Sequence, residues 1–417
     1  MDEFEELVLS NGIRVVHCEH TFSKISHCGF IINAGSRDEL EQEHGLAHFI
    51  EHCLFKGTKR RKPYHILNRL ESVGGELNAY TTKEDTCLYA SFTKEYYDRT
   101  IELLTDILFN STFPMRELKK EKEVIYDEIN YYNDTPSELI FEEFDELFFN
   151  NNAISRSILG TKRTIEKFNA SSIKDFMFRN YLQPDQIVFS SVGDISLKKL
   201  AQILEKHLGS VSLSKEEAPV RSKASVNTPF QVVQKKHINQ SHYLLGRKSF
   251  KADHKESKRM ILLNNFIGGN ASNSRLNFIL REKYGLTYGI DSSYISYSDV
   301  GVFNIYVSLD YKNLGRVNKL IWKELNRIKN QKISAFALSQ IKKQFIGQFL
   351  LSLENRVNTM LTAGKSVLFF NKVDADKTII KEIESITMSQ FMDIANKTLI
   401  EDSFSSLTYI PKKNIKQ

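Results

Sequence analysis

Cysteine is scarce in this chain. The 417 residues contain four, Cys18, Cys28, Cys53 and Cys87, and no two of them form a CxxC pair. That supply gives no disulfide framework, and the four are expected as reduced, mostly buried thiols. Long apolar runs are also missing, and none approaches the length of a membrane span. The first residues, Met1-Asp2-Glu3-Phe4-Glu5-Glu6, are acidic and lack the basic and apolar regions of a signal peptide, so a cytoplasmic location is expected. Excess charge is small: the formal net charge is +6 and the pI about 8.8. Spread over this length it does not call for nucleic acid, and no basic stripe is interleaved with aromatics.

What is present is the composition of a folded globular protein, 41% hydrophobic and 26% charged. The length exceeds one ordinary core, so two or more domains are expected. Leu7 to Val16 reads as two short strands turning at Asn11-Gly12. Ser26 to Ala34 is a buried strand by its apolar density. A helix is expected from His44 to Phe55, stopped at Gly57, and another opens at Pro63. Strands around Leu77 to Thr81 and Cys87 to Phe92 follow. Helices are then predicted over Tyr96 to Phe109, Glu117 to Tyr132 and Ser137 to Phe149. From about Gly209 to Thr228, Ser, Lys, Glu and Pro219 replace apolar periodicity. The expected partition is therefore 1–210, a linker over 211–228, and 229–417. The second half repeats the order of strands, helix pair, two strands, helices and strand, which suggests a duplication. Each half is expected to be α+β, a mixed or antiparallel sheet covered by helices on one face.

The first expected helix carries His48-Phe49-Ile50-Glu51-His52. Histidines four apart share a helix face, where two imidazoles can hold one metal ion. Glu51 projects near the same ion and can act as general base toward a water in the open position of a catalytic zinc site. The pattern HxxEH is the inverted form of the zinc-protease HExxH. Two histidines leave such a site one ligand short. The segment Glu121 to Glu128 offers several acids, with Glu121 and Glu128 seven apart on one face. One could bind metal while the other orients a ligand, but spacing alone does not choose between them.

These stretches, together with HGLAHFIEHCLFKGT (His44 to Thr58), EKEVIYDEI (Glu121 to Ile129) and GGELNAYTTKEDT (Gly74 to Thr86), make nearly the whole chain similar to one family. It resembles the pitrilysin, insulin-degrading enzyme and mitochondrial processing peptidase family of inverted-motif zinc metallopeptidases. The resemblance implies that His48, His52 and Glu128 bind Zn²⁺, one ion per chain, that Glu51 is the base, and that Glu121 supports the site. It implies that the strand containing Asn78 and Ala79 lies at the sheet edge beside the cleft and binds peptide through its backbone. In the second half, GGNASNSRLNFILREKYGLTYGI (Gly268 to Ile290) matches the family's Gly-rich turn, helix and Arg–Tyr pair. Arg281 would then hold substrate carbonyls and Tyr288 would donate to the oxyanion. The run Gly268-Gly269-Asn270 falls short of the three glycines often seen there.

The length matches the short branch of the family, whose members act as dimers, closing as a clamshell of four domains around a chamber. The implied activity is a metalloendopeptidase acting on unfolded peptides. A homodimer is expected, because one chain holds both the zinc set and the Arg–Tyr pair. The alternatives are a heterodimer with a metal-free homologue, a non-catalytic partner subunit, and an enzyme dedicated to one precursor.

Overall fold

The computed structural model describes residues 3–331 and 333–412. In chain order the strands are β1 (Glu5–Val8), β2 (Arg14–Glu19), β3 (Ile25–Ile32), β4 (Glu76–Thr81), β5 (Thr86–Thr93), β6 (Ile187–Gly193), β7 (Gln231–Lys236), β8 (Ser241–Ser249), β9 (Thr287–Ser296), β10 (Gly301–Leu309) and β11 (Ser405–Pro411). The helices of the first half are α1 (Leu46–Cys53), α2 (Pro63–Glu71), α3 (Tyr97–Asn110), α4 (Met115–Asn133), α5 (Pro136–Phe148), α6 (Lys162–Ile165), α7 (Ala170–Asn180) and α8 (Leu197–Leu208). Those of the second are α9 (Ser257–Gly268), α10 (Leu314–Asn330), α11 (Ala335–Leu353), α12 (Arg356–Phe370), α13 (Asp376–Ser385) and α14 (Met388–Thr398). Among the described residues no helix is long and apolar enough to cross a membrane.

The fold is α+β and is built of two compact units. The first comprises residues up to Asn130, Arg156–Ser222 and Leu351–Lys377. Its sheet runs β1-β2-β6-β3-β5-β4, parallel only between β2 and β6 and antiparallel elsewhere. The second comprises Tyr131–Ser155, Lys223–Leu350 and the chain from Thr378. Its sheet runs β7-β11-β8-β10-β9, with β7 and β11 parallel and the other pairs antiparallel. Without β1, the two sheets have the same connectivity. In each, among the described residues, the last strand in this order, β4 or β9, lies at an edge of the sheet.

Strand β3 shows why its sequence is densely apolar. Side chains alternate across a strand, so Cys28, Phe30 and Ile32 enter one core with Phe49, Ile101, Leu104 and Phe176. Ile31 enters a separate cluster on the other face with Met360 and Val367 of α12. A sheet buried on both faces has no polar side to show. The second unit repeats the arrangement: Leu245, Phe303 and Ile305 join the α9 and α10 core. Leu244, Val302 and Leu407 pack against Phe144 and Phe148 of α5.

The compact units therefore depart from the contiguous partition 1–210 and 229–417. Helix α5, from the first half of the chain, covers the second sheet, and α12, from the second half, covers the first. Composition marks a covalent junction, whereas compactness follows where an apolar face is buried. Ile140, Phe144 and Phe148, spaced by four, form such a face. The segment 211–228 holds no helix or strand element. It is nevertheless fastened: Arg221 binds Asp38 through two bonds of 2.8 Å and donates to the Glu84 carbonyl at 2.7 Å.

Helix α12 approaches its sheet through Gly364. A Cβ there would lie 2.5 Å from Ile31 Cδ1 and 3.0 Å from Ser190 Cβ, and Ser190 Oγ donates to the Met360 carbonyl at 2.6 Å. Gly364→Val is expected to destabilise the protein by about 1–3 kcal/mol through overpacking. Denaturant unfolding would measure it, and an unchanged midpoint would contradict the close packing of α12.

Candidate metal centre

Helix α1 starts from a tightly held end. Its N-cap, Gly45, has φ +94°, a conformation that favours glycine. A side chain there would also collide with Gly160, whose Cα would be 2.6 Å from the added Cβ. The helix is capped from a distance by Glu39, whose two carboxylate oxygens accept the Gly45 and Ala47 N–H groups at 2.9 and 2.8 Å. Burial pushes the Glu39 carboxyl up to about 8, against the pull of these two bonds and of Arg156. Arg156 in turn holds the Glu39 and Leu40 carbonyls, each at 3.0 Å. Glu39→Ala would remove the cap and strand two buried donors, so a loss of about 2–4 kcal/mol is expected. Chemical unfolding of the variant would read it, and a loss below about 1 kcal/mol would rule out this capping role.

From that end the helix presents His48 and His52 one turn apart, with ring centroids 4.6 Å from each other. Helix α4 brings acids to them. Its buried face runs through Leu118, Glu121 and Ile125, and Glu128 continues it. Glu128 Oε2 lies 3.7 Å from His48 Nε2 and 3.6 Å from His52 Nε2. One ligand atom from each of His48, His52 and Glu128 lies within 4.8 Å of the others. Tetrahedral zinc with bonds near 2.05 Å separates its ligand atoms by about 3.3 Å, so the spacing and the donor set of two imidazoles and one carboxylate fit that ion. Glu121 stands behind: its Oε2 is 3.3 Å from His52 Nδ1, and its Oε1 is 2.7 Å from Lys56 Nζ.

The electrostatics follow from burial and proximity. Burial, helped by neighbouring His52, lowers the His48 pKa to about 3, so the ring is a neutral donor at ordinary pH. Burial also disfavours charge on His52, but the hydrogen bond to Glu121 and the charges of Glu128 and Glu51 outweigh it and raise its pKa. Burial raises Glu51 above the ordinary carboxylate value, reinforced by Glu128 and opposed by Thr81 and His52. Burial likewise raises Glu128, with His52 opposing. Glu121 goes the other way: hydrogen bonds from His52 and Lys56 overcome its burial and hold it low.

Asn78 and Ala79 lie on β4, which among the described residues is an edge strand paired with β5 alone, in register with Tyr89 and Leu88. The second unit holds Arg281 in a π-helical turn, Asn277–Lys283, and Tyr288 on its own edge strand, β9. The Arg281 guanidinium sits 5.6 Å from the Tyr288 ring centroid, and Tyr288 is 83% exposed. The pair thus meets within its unit, while the metal-type cluster belongs wholly to the first. Helix α9, the counterpart of α1 by connectivity, reads SKRMILLNNFIG and carries no histidine or acid.

Two residues at this centre escaped the sequence reading. Lys56 carried no signal, because it lies past the end of α1 at Cys53 and its partner is an acid on α4. Glu39 carried none, because its bonds go to backbone groups.

Residues 14–162 match the family described as insulinase, peptidase family M16, and residues 167–345 match the peptidase M16 inactive domain. A Bacillus subtilis protein named as the uncharacterized zinc protease YmxG is 33% identical over 392 residues, covering 94% of this chain and 95% of that one. An uncharacterized zinc protease of Rickettsia felis is 28% identical over 407 residues, 98% and 96% of the two chains. The crystal structure of a protease from Helicobacter pylori superposes with a TM-score of 0.91 at 21% identity, covering 99% of this chain and all (100%) of that one, a likeness of fold.

Proposed function

The chain belongs to the insulinase family of peptidases, family M16, and from that premise we propose that it is a zinc-dependent metalloendopeptidase acting on unfolded peptides. The observation that carries this reading is the convergence of His48, His52 and Glu128, whose ligand atoms all lie within 4.8 Å of one another. These three would hold one Zn²⁺ per chain. Bound there, the ion supplies a Lewis acid and lowers the pKa of a coordinated water toward neutrality. Glu51, raised by burial, is suited to take a proton from the attacking water and return it to the leaving amine. Glu121 orients His52 through Nδ1. The backbone of β4 at Asn78 and Ala79 would add the substrate as a further strand, giving affinity largely independent of substrate sequence. Arg281 would hold substrate carbonyls, and the exposed Tyr288 hydroxyl would donate to the oxyanion.

The test is metal analysis of the purified protein, followed by cleavage of an internally quenched peptide with and without chelator. One zinc per chain and chelator-sensitive cleavage are expected. A metal-free, inert protein would instead point to a scaffold or partner subunit of the same fold. A homodimer is proposed because the chain carries both the ligand set and the Arg–Tyr pair. A monomeric mass by light scattering would exclude it, and co-purification of a second homologous chain would replace it with a heterodimer.

A further inference from the structure

Lys56 lies four residues after the last histidine of the motif, just past the end of α1, and its ammonium is 2.7 Å from Glu121 Oε1. The other Glu121 oxygen, Oε2, is 3.3 Å from His52 Nδ1. The far nitrogen of that ring, Nε2, is 3.6 Å from Glu128 Oε2. The four side chains form one line, Lys56–Glu121–His52–Glu128, with the metal-type cluster at its end. This is not an ordinary surface ion pair. The Glu121 side chain is 8% exposed and that of Lys56 28%, whereas Lys120 and Glu117 on the same α4 helix are 55% and 20% exposed.

A carboxylate held at one oxygen only can still swing about its side-chain torsions. Held at both, it has one orientation. We propose that Lys56 is a positioning residue of the metal centre: by fixing Glu121 Oε1 it aims Oε2 at His52 Nδ1. That bond keeps the imidazole proton on Nδ1 and turns the Nε2 lone pair toward the metal position. The inference rests on the reading of the cluster as a zinc site. It gives Lys56 a task that neither the motif nor the family match assigns to it.

The experiment uses the full-length chain and measures zinc affinity at one pH by competition with a chromophoric chelator. Lys56→Met is expected to weaken zinc binding about tenfold, the lower end of the range for lost outer partners of a ligand. Lys56→Arg, which restores a cation, should recover most of it. The visible spectrum of the cobalt-substituted protein should shift in Lys56→Met and return toward wild type in Lys56→Arg. In a Glu121→Gln background Lys56→Met should add less than a twofold change, because the lysine acts through that carboxylate. If Lys56→Met does not fold, as judged by the thermal transition of the metal-free protein, Lys56→Gln serves in its place. Zinc affinity within twofold of wild type in the lysine variant, or an undiminished effect in the Glu121→Gln background, overturns the role of Lys56 alone. Wild type that binds no zinc, or a His48→Ala variant that binds it equally well, overturns the zinc reading and this inference with it.

Discussion

Glu51→Gln is expected to lower kcat/KM for a quenched peptide by about 10³–10⁴-fold while zinc stays bound at the wild-type stoichiometry. The amide is nearly isosteric with the carboxylate, so α1 and its packing are preserved. Glu51 is also not one of the three groups whose donor atoms converge, so the metal position keeps its ligands. What disappears is the proton acceptor. A positioned general base contributes about 10²–10⁴-fold, and its basicity here is raised by burial. The upper part of that range is expected because the same group also returns the proton to the leaving amine. Steady-state kinetics with elemental analysis on one preparation would separate the two effects. Activity within about tenfold of wild type would remove Glu51 from the role of base. Zinc lost together with activity would show that the carboxylate holds the ion instead.

The second large effect is expected on the metal itself. Glu128→Ala should weaken zinc binding by more than about 100-fold, beyond the 10–100-fold typical of outer partners. A catalytic zinc site with three protein ligands is left with two. The fold should survive, since the Glu128 side chain is 31% exposed and lies outside the hydrophobic cores of the described residues. Glu121→Ala separates the two acids of α4. It should weaken binding by about 10–100-fold, because it leaves the three donors in place and frees only the orientation of His52. Chelator competition on both variants is the measurement. Equal losses, or a larger one for Glu121→Ala, would reverse the assignment of ligand and support between these residues.

The helix-borne half of the centre was legible in the amino-acid order, because it is local. A spacing of four places His48 and His52 on one helix face whatever the rest of the chain does, and Glu51 follows from the same geometry. A spacing of seven likewise puts Glu121 and Glu128 on one face, but helical geometry says nothing about which acid reaches a neighbouring helix. The singling out of Glu128 came from resemblance, and its distance from the rings is a property of how α4 packs against α1. The duplicated order of strands and helices could be read from the pattern of apolar residues, and the buried character of β3 from their density.

The exchange of α5 and α12 between the units could not be read in that way. An apolar stripe such as Ile140, Phe144 and Phe148 states that it must be covered, and any apolar face of matching shape satisfies it. Glu39 and Lys56 were hidden for a related reason. Their partners are a backbone helix end and a carboxylate 65 residues away in sequence (121 less 56), and no local pattern encodes either. Short-range spacing thus determined the paired imidazoles and the Glu51 carboxylate beside them, with most of the strands and helices. Long-range packing alone decided which carboxylate faces the rings, what caps α1 and which helix covers each sheet, because side-chain contacts between distant segments exist only once the chain has folded.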